Sequence, residues 1–245
     1  MNLAELGARI RQRREQRRLR QSDVASALQI SPQAVSKWER GENAPDIAVL
    51  VDLSRLLDAS IEWLLGGHSG EREIFPATVL ATSLQGYAER SNQLALRELA
   101  TWSSSVHYAV TEAVRQHDGV PVKYVGDGFL GFFAGAGHGD RALAAARRAQ
   151  AMVDHDGLAI ALDSGDIFLG NIGHPDYASL DILGAPVNTA FLLLPHIADQ
   201  HESRIGLTES VTELLSDRAA VQDRGAIALT GCKDPIRIFE PAGSP

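Results

Sequence analysis

The pattern of apolar and polar positions predicts a bundle of short helices over about the first 65 residues. Apolar residues recur at three- and four-residue steps from Leu3 to Ile10, as on one face of a first helix. A short second helix capped by Ser22 follows. A third begins at Ser31, where a hydroxyl cap precedes a proline in the first helical position. Two further helices, at 47–56 and 61–65, close the bundle.

The second and third predicted helices have the size and spacing of a helix-turn-helix motif. Each has about eight residues, and three or four residues join them. Val35 and Trp38 point to the core from the third helix, and Gly41 ends it. In such motifs the polar outer face of the second of the two helices enters the major groove of DNA.

Strands and helices alternate in the rest of the chain, which predicts an α/β or α+β sandwich with helices against a sheet. The clearest signal is a hairpin, because a Gly-Asp-Gly turn around Asp127 separates two apolar runs. The predicted strands are 77–84, 120–125, 129–133, 158–168 with a hairpin turn through Gly165, 204–207, 226–229 and 236–240. The predicted helices are 94–116, 141–153, 187–197 and 211–215.

Length and composition indicate two domains. A chain of 245 residues can bury two separate cores. The polar, glycine-bearing segment 68–74 is the predicted linker between a helix-turn-helix domain at 1–67 and a second domain at 75–245. No long apolar run or leader segment is present, so we expect a cytoplasmic location. The single cysteine, Cys232, excludes an intramolecular disulfide.

Charge is distributed unevenly between the two predicted domains. The formal net charge of the chain is -8, but seven arginines crowd between Arg9 and Arg20. An acidic body with one basic end is typical of a protein whose end contacts a polyanion. The arginines would supply the sequence-independent attraction that DNA binding needs.

The first 67 residues resemble the phage-repressor (Cro/XRE-type) helix-turn-helix family. The matching residues are Gln21, Val24-Ala25, Ile30-Ser31, Val35-Ser36, Trp38-Glu39, Gly41 and the run Ile61 to Gly66. The resemblance implies two sets of DNA-binding residues: Gln33, Ala34 and Lys37 at base edges, and Gln21, Ser31 and Arg40 at phosphates. The chemistry agrees, since glutamine can bind adenine and lysine can reach guanine acceptors. Binding of another protein is the alternative.

Residues 75 to 241 resemble a class III nucleotidyl cyclase catalytic domain, which has a ferredoxin-like-related α/β sandwich fold. The matching segments are Lys123 to Phe129, Gly170 to Gly173, Asp181 to Gly184 with Val187-Asn188, and Ile236 to Glu240. The resemblance implies that Lys123 and Asp181 recognise adenine and that Asn188 positions the ribose and the reacting phosphate. It also implies that Asp127 is one of two metal-binding aspartates.

Two positions depart from the cyclase pattern. Ser83 stands where the other metal-binding aspartate belongs, and Leu192 stands where an arginine stabilises the transition state. Two metal ions need bridging carboxylates. A missing guanidinium of this kind costs phosphoryl transfer a factor of about 10³ or more. The sequence therefore predicts a pseudoenzyme that needs no cofactor but binds a nucleotide such as ATP or cyclic AMP, with or without Mg²⁺.

Cyclase domains of this family pair head to tail, which implies a homodimer. Asp127 of one chain would then face Lys123, Asp181 and Asn188 of the other. The predicted protein is a DNA-binding transcriptional regulator in which a small-molecule effector at the interface changes the spacing of two DNA-binding ends. Two alternatives stay open: a weakly active cyclase with its own regulatory tether, and a cyclase-like domain that is only a dimerisation scaffold.

Overall fold

A computed structural model describes residues 3–65, 74–153, 157–174 and 179–242, without the side chains of Glu62 and Asn171. The chain divides into two compact units. One contains the N-terminal helices, the first strand as far as Pro76, residues 134–136 and the described parts of 168–182; the other contains the remaining residues. Nearly all of the predicted linker lies outside the described residues. No described helix is long and apolar enough to cross a membrane.

Five helices form the N-terminal bundle, as the periodicity predicts. They are α1 (Leu3–Gln16), α2 (Gln21–Ala27), α3 (Pro32–Glu39), α4 (Ile47–Leu57) and α5 (Ile61–Leu65). Their apolar stripes meet in a core in which Ile10, Val35, Leu53 and Leu64 are completely buried. Burial of these stripes stabilises helices that are too short to persist alone in water.

Short polar side chains accept hydrogen bonds from the backbone at the starts of several helices, α2 and α3 among them. The Ser31 hydroxyl accepts a hydrogen bond from the backbone N–H of Ala34 (3.3 Å), as predicted for the start of α3. The prediction that Ser22 caps α2 is wrong. This helix begins at Gln21, so Ser22 lies inside it. Asp23 in its first turn accepts a hydrogen bond from the backbone N–H of Arg20 (2.7 Å). The Asp23 carboxylate, rather than the Ser22 hydroxyl, therefore accepts a backbone hydrogen bond at the start of α2.

The remaining elements form a sheet with helices. The strands are β1 (Ile74–Leu84), β2 (Val120–Val125), β3 (Gly128–Ala134), β4 (Leu158–Ile172), β5 (Ser179–Leu183), β6 (Ile205–Thr208), β7 (Val221–Ile227) and β8 (Ile236–Pro241). The helices are α6 (Tyr87–Gln93), α7 (Leu96–Gln116), α8 (His138–Met152), α9 (Ala185–Gln200) and α10 (Glu209–Thr212). In the described residues the sheet order is β2-β3-β1-β4-β6-β8-β7, with β5 paired to β4.

The sheet is mixed, which confirms the predicted α/β class. Strands β2 and β3 form the expected antiparallel hairpin, with Val125 opposite Gly128 next to the turn. Strands β4 and β6 are parallel, with Ile160 opposite Ile205. Strand β8 is antiparallel to both β6 and β7.

Helices cover both faces of the sheet. Residues at alternate positions of β4 and β6, such as Ile160 and Ile205, share a core cluster with α7 and α8. Gly206 therefore points to the opposite face, since successive side chains of a strand alternate. A Cβ atom at Gly206 would collide with Ile197 of α9. Helix α9 thus packs on the second face, and glycine allows it to approach closely.

The structure differs from the sequence predictions at several places in this region. Strand β4 runs without a hairpin through Gly165, where a Cβ atom would lie 2.9 Å from Pro186; the glycine makes room for α9 rather than a turn. Strand β7 begins five residues before its predicted start. Helix α6 and strand β5 were not predicted, since α6 buries no residue and β5 has five residues.

Helix α9 contains a proline, Pro195, in its interior. Proline has no backbone N–H, so the carbonyl of Phe191 receives no helical hydrogen bond from it. Two contacts hold the C-terminal part of α9 in place. Ile197 packs at Gly206, and the carbonyl of Ala198 accepts from the Gln85 side chain (3.2 Å).

Candidate functional site

Helix α3 presents a polar face outward and an apolar face to the bundle. Val35 and Trp38 are buried, whereas Gln33 and Lys37 are exposed and Ala34 is partly exposed. Positions 33 and 37 are one helical turn apart, so their side chains lie on the same face. Two of the three predicted base-contacting side chains are therefore available to a ligand that approaches α3.

A buried polar network joins α3 to α1 and α2, and we call it the Glu39 network (Arg14, Gln21 and Glu39). Arg14 donates to both carboxylate oxygens of Glu39, from Nε at 2.5 Å and from the second terminal nitrogen at 3.0 Å. The amide of Gln21 donates to Glu39 at 2.8 Å. The side chains of Arg14 and Glu39 are only 12% and 4% exposed. Glu39 raises the pKa of Arg14 through this hydrogen bond, which favours the charged guanidinium.

The Glu39 network engages the side chain of Gln21. The sequence resemblance implies a phosphate contact for this residue, and its side chain is already engaged by Glu39. Of the other two predicted phosphate contacts, Ser31 is exposed at the start of α3. Arg40 is exposed and donates to Glu42 at 2.6 and 3.0 Å and to Ser36 at 2.5 Å. A phosphate would therefore compete with Glu42 for Arg40.

Part of the arginine cluster on α1 has structural contacts. The guanidinium carbons of Arg9 and Arg13 lie 5.9 and 5.0 Å from the ring centre of Trp63, within the range of cation–π attraction. Arg11 pairs with Glu15 at 2.9 Å. Arg18 and Arg20 are exposed near the start of α2. The cluster thus both joins α1 to α5 and leaves positive charge at the surface.

The β2–β3 turn brings Asp127 to the end of β1, beside Ser83. One carboxylate oxygen of Asp127 accepts from the backbone N–H of Leu84 (2.8 Å). The next residue, Gly128, is buried, and a Cβ atom there would lie 2.6 Å from the carbonyl oxygen of Thr82. Only glycine allows the turn to approach β1 this closely.

Helix α9 carries two of the other positions that the cyclase resemblance singles out. Asn188 and Leu192 are exposed and one turn apart, and Leu192 is 40% exposed. Gly184 precedes the helix at a φ of 158°, and a Cβ atom there would lie 2.7 Å from the carbonyl oxygen of Asp166. An apolar leucine thus occupies a surface position where the resemblance implies an arginine.

The two predicted adenine-recognition residues lie on different strands. Lys123 is exposed on β2, four residues before Asp127 in the sequence. Asp181 is partly exposed on β5, and one of its carboxylate oxygens accepts from the backbone N–H of Ile182 (2.9 Å).

The donor set around Asp127 does not fit a pair of metal ions. Ser83 offers a hydroxyl in place of a carboxylate, and one oxygen of Asp127 is engaged by Leu84. Within the described ranges, no group of three His, Cys, Asp or Glu side chains is placed to hold a metal. Two-metal phosphoryl chemistry needs carboxylates that bridge both ions.

A second polar cluster, which the sequence did not indicate, surrounds Asp163 of β4. Thr208, Ser210 and the backbone N–H of Ser164 donate to one of its oxygens at 2.6, 2.8 and 2.8 Å. Asp163 is 8% exposed. Burial raises the pKa of Asp163 although these three hydrogen bonds favour its charged form. Thr208 and Ser210 are 45 and 47 residues away from Asp163 in sequence, so no local motif marks the cluster.

Comparison with known proteins identifies the N-terminal segment. Residues 10–64 match a family model described as helix-turn-helix. This segment is a helix-turn-helix domain of the Cro/XRE type. The chain is 39% identical over 71 residues to the HTH-type transcriptional regulator DicA of Escherichia coli, covering 29% of this chain and 53% of that protein. It is 35% identical over 74 residues to Repressor protein C2 of Salmonella phage P22, covering 30% and 34%. The chain thus spans about half or less of these relatives.

Solved structures identify the fold of the second domain. A guanylyl cyclase crystal structure superposes with a TM-score of 0.61 and 21% identity over 70% of this chain and 94% of that chain. The adenylyl cyclase CyaB from P. aeruginosa superposes with a TM-score of 0.60 and 22% identity over 70% and 96%. The domain therefore has the fold of class III nucleotidyl cyclase domains, as the sequence resemblance predicts.

Proposed function

We propose that the chain is a transcriptional regulator that binds double-stranded DNA through α3. The observation that carries the proposal is the exposed pair Gln33 and Lys37 on a helix that the Glu39 network holds against α1 and α2. Reading of base edges needs side chains on a rigidly positioned element. The regulators and the repressor to which the domain is similar support the same activity.

Selection of duplexes from a randomised pool tests DNA binding by the full chain. We expect Lys37→Ala and Gln33→Ala to weaken binding to the selected duplex by roughly 5- to 150-fold each, the range expected for one lost base contact. They should also relax the sequence preference at one position. Lys233→Ala removes an exposed lysine from the other domain and should change nothing. Equal binding by all four proteins would refute the role of α3.

We further propose that the cyclase-fold domain binds an adenine nucleotide without turning it over. Lys123 and Asn188 are exposed, and Asp127 retains one carboxylate oxygen that does not contact Leu84. Ser83 and Leu192 lack the charges that a triphosphate and its metals need for cyclisation. Recognition of the base uses Lys123 and Asp181, which do not depend on the lost groups.

Calorimetric titration of the full chain with ATP and with cyclic AMP, each with and without Mg²⁺, tests ligand binding. We expect saturable binding that Lys123→Ala abolishes and Lys233→Ala preserves. The same samples, incubated with ATP and Mn²⁺, should yield no cyclic AMP. Formation of cyclic AMP would show an active cyclase. If no ligand gave a heat of binding, the proposal of nucleotide binding would fail and the domain would be a dimerisation scaffold only.

A homodimer through the cyclase-fold domain completes the proposal. Helix-turn-helix domains bind two-fold related half-sites as dimers, and the cyclase resemblance implies pairing in which each pocket uses both chains. Sedimentation velocity across a hundredfold range of concentration should show a dimer. A monomer at every concentration, with DNA binding retained, would separate the DNA-binding proposal from the dimer proposal.

A further inference from the structure

A cleft lined by none of the residues that the cyclase resemblance singles out opens between α6, α7 and the end of α8. Its volume is about 460 Å³, within the range of small-molecule sites. The wall residues on α7 are Trp102 and Ser105, and the floor consists of Val106, Ala109 and Val153. These floor residues belong to the main hydrophobic core of the domain. The cleft therefore gives a ligand direct access to apolar core atoms.

The geometry of α7 and α8 explains the cleft. Arg141, at the start of α8, donates to the carbonyls of His117 and Asp118, just after the end of α7. The cleft involves Met152, at the end of α8, and the first half of α7. The two helices are therefore antiparallel. The small side chains of Ser105 and Ala109 leave space on α7 where a larger residue would fill the groove.

A cation lies at the edge of this cleft. The guanidinium carbon of Arg90 is 4.8 Å from the ring centre of Trp102, and Tyr87 stacks on the same indole at a centroid distance of 6.0 Å. No carboxylate in the described part of the chain pairs with Arg90. A guanidinium that stacks on an aromatic ring keeps its N–H groups available in its own plane for a carboxylate. The stacking also restricts the side chain before a ligand arrives.

Ser105 adds a polar group to the wall. Its hydroxyl donates to the carbonyl of Trp102 (2.7 Å). The hydroxyl hydrogen is thus engaged, and the oxygen still has a lone pair for a donor from a ligand. An apolar floor, one cation and one acceptor together define a narrow chemical class.

We propose that the Arg90–Trp102 cleft binds a small organic carboxylate with an aromatic or branched aliphatic body. The body lies on Val106, Ala109 and Val153, and the carboxylate pairs with Arg90 in bidentate fashion. The site is separate from Lys123, Asp127 and Asn188 and does not depend on nucleotide binding. It gives the cyclase-fold domain a second way to receive a chemical signal.

Calorimetric titration of the full chain with 2-naphthoate tests the proposal, with uncharged 2-naphthalenemethanol as the matched probe. We expect saturable 2-naphthoate binding, at least tenfold stronger than binding of the alcohol. Arg90→Gln should weaken 2-naphthoate at least tenfold and leave the alcohol unchanged. Arg97→Gln, which removes an exposed arginine near the start of α7, should have no effect. Equal binding of the two probes, or equal binding by the Arg90→Gln protein, would overturn the proposal.

A second variant tests the location of the ligand. Ala109→Leu places a larger side chain in the floor and should abolish binding of both probes. Circular dichroism should show that this variant is folded. If it does not fold, Ser105→Leu on the cleft wall takes its place, since Ser105 is exposed. Binding that survives in a folded wall variant would place the ligand elsewhere and refute the assignment.

Discussion

Removal of the Glu39 carboxylate should be among the most destabilising single changes in the helix-turn-helix domain. Glu39→Ala removes two hydrogen bonds from Arg14 and one from Gln21. It also leaves the Arg14 guanidinium, whose side chain is 12% exposed, with the exposed Glu15 carboxylate at 3.5 Å as its remaining counter-charge. Breaking a buried ion pair by removing one partner costs roughly 3–5 kcal/mol. The remaining exposure of Arg14 favours the lower end, about 3 kcal/mol.

This magnitude gives a measurable shift in unfolding. A loss of about 3 kcal/mol lowers the ratio of folded to unfolded molecules roughly 150-fold. For a domain of this size it lowers the midpoint of thermal unfolding by roughly 12–24 °C. Trp38 and Trp63 lie in the helical domain, so their fluorescence reports its unfolding once Trp102 is replaced by phenylalanine in every protein compared.

Glu42→Ala is the matched control, since it also removes a glutamate that pairs with an arginine. Glu42 and Arg40 are each about half exposed, and water and salt weaken such pairs. We expect its unfolding midpoint to equal that of the parent. If Glu39→Ala and Glu42→Ala have the same midpoint of thermal unfolding, the Glu39 network does not stabilise the domain, and its role in positioning α3 fails with it.

Three further predictions concern a close contact, a helix cap and a buried acid. Gly128→Ala forces a Cβ atom against the carbonyl oxygen of Thr82 and should lower the free energy of unfolding by about 1–3 kcal/mol, measured in urea. Asp46→Ala removes the cap that accepts from Val49 N–H and should cost about 1 kcal/mol in the same assay; no loss would contradict the capping bond. The folded pKa of Asp163 lies above its unfolded value of about 4, so its contribution to stability is present below that pH and is lost as pH rises through the folded pKa. An Asp163→Asn side chain does not titrate, so the variant should not show this loss. The free energy of unfolding of the variant, relative to that of the parent, should therefore rise with pH over that window. A pH-independent difference would contradict the raised pKa.

The sequence predicted the elements whose signals are local. The helices of the N-terminal bundle follow from apolar periodicity, and the β2–β3 hairpin follows from the turn at Asp127. Gly165 misled the prediction because a glycine in a strand also permits close packing. A glycine is needed there because Pro186 packs against it, and this contact exists only after folding.

The polar networks could not be predicted because their partners are distant in sequence. Arg14 and Glu39 are 25 residues apart, and Asp163 and Thr208 are 45 residues apart. The exposure of Gln33 and Lys37 was predictable, since it follows from the apolar positions of α3. That Gln21 contacts Glu39 was not predictable, because the chain offers several other acidic residues at similar separations.

Pro195 has a consequence for the timescales on which α9 opens. Without a hydrogen bond to the carbonyl of Phe191, the helix lacks one link between its two halves. Amide protons before Pro195 belong to the half in which Val187, Ala190 and Leu193 are buried, and they should exchange with solvent slowly. Those after it lie in the last turn of the helix, where Ile197 is the one buried residue, and they should exchange as a separate, faster group. One helix would thus contribute to two cooperative units, and its last turn could open while the turns that carry Asn188 and Leu192 stay packed on the sheet.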